Sequence, residues 1–161
     1  MSKKDFKVAG IIWILVLILQ SFIPAFRFKE IIIQPDLLLI LVTFVALRFG
    51  GDIAVIFGLV NGLIQDFTTQ KSLLGIMALS KSATAYGLHF VQHYKTIWVR
   101  HIKLFCIFFA FVFHNLIYYY FYLSGGFSLF NSGFFVIMIQ SIISFLIFLI
   151  FEKILFKSKL I

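Results

Sequence analysis

The stretch from Gln34 to Tyr86 reads QPDLLLILVTFVALRFGG (34–51), DIAVIFGLVNGLIQDF (52–67) and TTQKSLLGIMALSKSATAY (68–86). Long apolar runs are interrupted here by one proline and a few glycines, carboxylates, amides and basic residues. Each interruption falls where an apolar helix has a use for it, at a start, at a turn or along one face. That arrangement separates a polytopic membrane protein from merely greasy sequence.

Working outward, the composition agrees. The chain has 161 residues, 62% of them hydrophobic and 12% charged. A soluble domain of that length has too little core to hide so much apolar surface, so much of it must face lipid. The net charge of +8 fits the Lys and Arg that membrane proteins gather in cytoplasmic loops. No basic face or motif points to nucleic acid. The single cysteine, Cys106, lies in an apolar run and excludes an internal disulfide. The 23 phenylalanines fit an AT-rich genome better than a stacking or cofactor role.

Apolar runs long enough to cross a bilayer are expected at about 8–26, 31–49, 52–67, 72–91, 104–123 and 133–151, each helical because lipid offers no partner for free backbone groups. The first run follows Lys3, Lys4 and Lys7 like a signal peptide, but it is long and lacks a cleavage site, so it is read as a retained span. The expected fold is therefore an all-α integral membrane protein, a compact six-transmembrane-helix bundle forming a single domain over 1–161. Placing both termini inside puts ten basic residues in the inside segments (Lys3, Lys4, Lys7, Arg48, Lys95, Arg100, Lys103, Lys153, Lys157, Lys159) and three outside (Arg27, Lys29, Lys71). The second and third spans are short for a hydrocarbon core of about 30 Å.

Pro35-Asp36 reads as a helix start, with a carboxylate at the positive end of the helix dipole; the alternative is that Asp36 meets a partner's polar group. Ala54, Gly58 and Gly62 share one helix face that lets another helix approach closely, and an internal neighbour is the simpler expectation. Asn61, Gln65 and Asp66 cluster at the end of that span. A carboxylate there opposes the dipole, so Asp66 is expected to cap the following segment, to pair with Lys71 or Lys81, or to serve a site. Lys81 lies deep in the fourth span, where lysine is costly. It either has a function or snorkels, or it reaches Asn61, Gln65 or Asp66. His114, Asn115, Gln140 and Gln20 extend an internal polar network. No HExxH, Walker A, cysteine pair or Ser-His-Asp set is present, so neither enzyme chemistry nor a cofactor is expected. His89, His93 and His101 stand beside Lys and Arg and read as interface histidines rather than metal ligands.

Taken in order, Pro35-Asp36-Leu37-Leu38, Arg48 to Gly51, Gly58 and Gly62 through Gln65-Asp66, and Ser72-Leu73-Leu74-Gly75 resemble the motifs of the bacterial rod shape-determining protein MreD family. The resemblance implies a non-enzymatic inner-membrane component of the cell-elongation machinery. Such proteins pair with the bitopic protein MreC and act with MreB, RodA and an elongation-specific penicillin-binding protein in side-wall peptidoglycan synthesis. It also implies a fold similar to the substrate-binding subunits of energy-coupling-factor transporters, with Pro35, Asp36, Gly58, Gly62, Asp66 and Gly75 as partner-binding or structural positions. Lys81 is no part of the family pattern. The competing reading is a transport subunit that holds a small solute near Asn61, Lys81 and His114.

Overall fold

The computed structural model describes residues 3–23, 26–28, 31–69, 74–122 and 133–156. Six helices account for nearly all of them: α1 (Lys3–Phe22), α2 (Leu37–Phe49), α3 (Gly51–Thr69), α4 (Ile76–His93), α5 (Arg100–Tyr122) and α6 (Phe134–Phe156). Between α1 and α2, strands β1 (Phe26–Phe28) and β2 (Ile31–Ile33) pair antiparallel, Phe26 opposite Ile33 and Phe28 opposite Ile31. Lys71, Ser72, Leu73, the loop 124–132, Lys157 and Lys159 lie outside the described residues.

Two sequence expectations need correction. The first span ends at Phe22 rather than at 26, and Ile31–Ile33 form a strand instead of opening the second helix. Pro35 is the physical reason. It disfavours helical backbone in the residue before it, and Asp36 then takes the N-cap, its Oδ1 accepting from the Leu39 amide at 2.9 Å. What remains of α2 has 13 residues, about 20 Å at 1.5 Å per residue.

Successive helices run in opposite directions, so the bundle has two ends. At the Pro35 end lie the start of α2, the end of α3, the start of α4 and the end of α5. At the Gly50 end, Gly50 (φ 94°) turns the chain from α2 into α3. The first amide of α3, that of Gly51, donates to His89 Nδ1 of α4 at 3.1 Å. The most extensive helix interface joins α3 to α4. It is made by Gly58 and Gly62: a Cβ at Gly62 would lie 2.3 Å from Ala78 Cα, and one at Gly58 3.0 Å from the Lys81 carbonyl oxygen.

Polarity is inverted relative to a soluble fold. Ile11, Ile14, Phe22, Ile56, Phe67, Phe105, Phe134 and Ile154 are exposed, while Asp36, Asn61, Gln65, Asp66, Lys81, His114 and Glu152 are buried. An apolar core of Leu39, Val42, Ala46, Ala54, Ala85, Leu88, Ile107, Phe111 and Phe148 fills the rest of the interior. Among the described residues, two helices, Arg100–Tyr122 and Phe134–Ile154, are long and apolar enough to cross a membrane.

Candidate functional site

The polar residues of the Pro35 end are drawn from all six helices. At the centre, the Lys81 ammonium of α4, fully buried, pairs with Asp36 Oδ2 at the start of α2. His114 of α5 brings its Nε2 to 3.6 Å from the same oxygen. Asp36 thus divides its carboxylate: Oδ1 caps α2, and Oδ2 gathers a cation and an imidazole from two other helices. The opposite nitrogen of the ring, Nδ1, is buried without a hydrogen-bond partner.

Removing two charges from water costs several kcal/mol each, and their attraction repays this only where the remaining polar groups are satisfied. The surroundings meet that condition in part. Ser80 and Thr84, beside Lys81, turn their hydroxyls back to the Met77 and Ser80 carbonyls at 3.2 and 2.7 Å and so compete for neither charge. Next to His114, Asn115 Nδ2 donates to Ser141 Oγ of α6 at 2.9 Å.

A second knot closes the α3–α4 turn. Asp66, fully buried at the end of α3, accepts the amides of Gly75 and Ala78 on Oδ2 and that of Met77 on Oδ1, at 3.0, 3.2 and 3.1 Å. A carboxylate opposing the dipole of its own helix is thereby placed at the positive end of the next one. The glycine contact makes this reachable, since at Gly62 the α4 backbone sits against that of α3. Gly75 adopts φ 96° in the turn, the left-handed region that costs glycine no steric strain. A Cβ there would meet nothing within 4 Å, so conformation and not space selects glycine.

A third set of bonds ties α1 and α6 to the break before α2. Gln20 of α1 accepts the Leu37 amide at 2.8 Å and donates to the Pro35 carbonyl at 3.1 Å. Gln34 Nε2 donates to the Ile23 carbonyl at 3.0 Å, and Gln140 Nε2 of α6 donates to the Gln34 carbonyl at 2.6 Å. Asn61 faces α1 and not the ion pair: its Oδ1 accepts from Trp13 Nε1 at 2.7 Å, and its Nδ2 returns to the Phe57 carbonyl.

A family model described as rod shape-determining protein MreD matches residues 4–158. The chain belongs to the MreD family. No curated protein and no solved structure matches it. Membership makes it a rod-shape-determining membrane protein of a family built around structural roles and not around a known catalytic activity.

Of the positions that the resemblance singled out, Asp36, Gly58, Gly62, Asp66 and Gly75 all lie at junctions inside the bundle. Gly58 and Gly62 face α4 of the same chain. Lys81 and His114 converge on Asp36, whereas Asn115 bonds Ser141 of α6, Asn61 stands apart and Gln65 is buried on α3. Among the described residues, no three His, Cys, Asp or Glu side chains form a metal-binding group. Sequence reasoning missed three participants: Trp13 as the partner of Asn61, Gln34 as a bridge to α6, and His89 as the cap of α3. For Gln34 a signal existed, because an amide beside a helix-breaking proline has unpaired backbone groups within reach. For Trp13 and His89 the sequence offers none.

Proposed function

We propose that this MreD-family chain is a six-span scaffold, a single domain over 1–161, in the bacterial inner membrane with both termini in the cytoplasm. It binds the membrane helix of an MreC-like bitopic protein and, through it, supports side-wall peptidoglycan synthesis with MreB, RodA and an elongation-specific penicillin-binding protein. The observation that carries this reading is the family match across residues 4–158. The internal chemistry agrees with it. Lys81 is engaged by Asp36 and Asp66 by three amides, so the charges that could hold a solute are used to join helices.

A fixed bundle of this kind communicates through its outer faces, by helix contact within the bilayer. Because Gly58 and Gly62 are occupied by α4, the partner helix meets a different face. The test is crosslinking in cells from cysteines introduced at exposed positions on α1, α3 and α4, such as Ile14, Leu59 and Leu79, in a Cys106→Ala background. An MreC-like single-span protein captured from one contiguous face supports the proposal. If no position captures it, and a small molecule instead raises the melting temperature of the purified chain, the transport-subunit reading takes its place.

A further inference from the structure

Five helices build the apolar interior, and α1 is not one of them. Among the described residues, none from α1 belongs to either buried apolar cluster or packs against one. From Gly10 to Phe22 only Gln20 is buried, and Ile11, Ile14 and Ile18 are each more than half exposed. A Cβ added at Gly10 would meet nothing within 4 Å, so no neighbouring helix presses on α1 there, whereas α3 and α4 touch backbone to backbone at Gly62.

What holds α1 is polar, and it falls at two heights. At the Pro35 end, the Gln20 carboxamide accepts the Leu37 amide at 2.8 Å and donates to the Pro35 carbonyl at 3.1 Å. Gln34 Nε2 reaches the Ile23 carbonyl, just past the helix, at 3.0 Å. About 10 Å closer to the Gly50 end along the helix axis, Trp13 Nε1 donates to Asn61 Oδ1 of α3 at 2.7 Å. The indole ring lies 6.4 Å from that of Phe57.

In lipid a helix gains no hydrophobic free energy by docking, because acyl chains are as apolar as leucine; close packing and interhelical hydrogen bonds decide. Since α1 has little of the first, its polar attachments set its place. They are unequal. Three bonds to backbone groups anchor the outer end, and those groups would go unpaired without them. One side-chain bond holds the middle, and a single intramembrane bond shifts an equilibrium by several-fold and not by orders of magnitude. Its loss is also mild for α3. Asn61 Nδ2 is bonded to the Phe57 carbonyl of its own helix, so a departing indole strands one acceptor and no charge. We propose that α1 is a strap, pivoting about Gln20 and fastened by the Trp13–Asn61 bond. Its inner half swings away from α3 while α2 to α6 stay packed, and release uncovers Phe57 and Asn61 inside the bilayer. The inference rests on α1 crossing the membrane, as proposed above, and on no protein partner.

The test uses the full chain in nanodiscs, with Cys106→Ala, spin labels on introduced cysteines and distances read by double electron–electron resonance. Ile11→Cys with Ile102→Cys, exposed positions on α1 and α5, reports the strap. Leu59→Cys with Ile102→Cys reports the packed remainder. The first pair should show two distances, and Asn61→Leu should raise the share of the longer one several-fold. Trp13→Phe loses the donor but keeps a ring against Phe57, so it should act alike and keeps the test decisive if Asn61→Leu fails to fold. The second pair should hold one distance throughout. One unchanging distance for the first pair, in the chain and in both variants, overturns the strap. So does a second pair that spreads in step with the first, because the whole bundle would then be loosening. Capture of an MreC-like protein is measured separately, so either proposal can fail while the other stands.

Discussion

At the scale of residues, the bundle depends on one carboxylate with two duties. Asp36 caps α2 and neutralises Lys81, so replacing it leaves an ammonium stranded in an apolar interior. Breaking a buried ion pair from one side costs about 3–5 kcal/mol, whereas replacing both partners by apolar groups is often close to neutral. Asp36→Asn, which retains a capping oxygen, should therefore markedly lower the melting temperature of the purified chain, and adding Lys81→Met should recover most of the loss. Additive single-variant effects would show that the two side chains do not act as a pair. The cost of an intramembrane lysine is evident from sequence alone, and that is why Lys81 stands out there. Its partner is not evident, because Asp36 lies 45 positions away and spacing carries information only along one helix. The nearer candidates on α3 are otherwise engaged, Asn61 with Trp13 and Asp66 with the first turn of α4.

At the scale of elements, α3 and α4 form a hairpin whose closeness is set by Gly62 and whose turn is held by Asp66. A Cβ at Gly62 meets α4 backbone, which cannot rotate away, whereas one at Gly10 or Gly87 meets nothing within 4 Å. Gly62→Ala should thus destabilise the chain by more than about 2 kcal/mol, in the range of overpacked interfaces. Gly10→Ala and Gly87→Ala should be neutral or slightly stabilising, since alanine favours helix. Equal melting temperatures for all three variants would remove the close contact. Asp66→Ala should cost on the order of 2–3 kcal/mol by orphaning buried amides, while Asp52→Ala, at an exposed site in the first turn of α3, should leave stability and cell shape nearly unchanged. This hairpin was the most legible part of the fold, because small residues at intervals of four and a carboxylate at the wrong end of a helix are both local signals. The short ribbon before α2 was not legible. Ile31–Ile33 is apolar enough to read as helix, and only the pairing with Phe26–Phe28 distinguishes the two.

At the scale of the whole molecule, the two ends of the bundle differ in chemistry. Among the described side chains, the Pro35 end holds its charges inside, as Asp36 with Lys81 and Asp66 with the α4 amides. The Gly50 end carries Arg48, Lys95, Arg100, Lys103 and Lys153, and half of the Arg100 side chain is open to solvent. Basic residues near span ends are retained on the cytoplasmic side, and the orientation proposed above for the six helices follows from that rule. Leu74, exposed at the Pro35 end, then faces outward, and Lys95, exposed at the Gly50 end, faces the cytoplasm. In spheroplasts carrying Cys106→Ala, a cysteine at position 74 should react with a membrane-impermeant maleimide. One at position 95 should react only after permeabilisation. Reversed labelling would place the basic end outside and remove the basis for both cytoplasmic termini. Labelling of both positions in intact spheroplasts would mean that α4 does not cross the bilayer at all. The second outcome is the more damaging, because Lys81 and its partners would then sit beside lipid headgroups, where water screens them and a buried ion pair has no reason to exist.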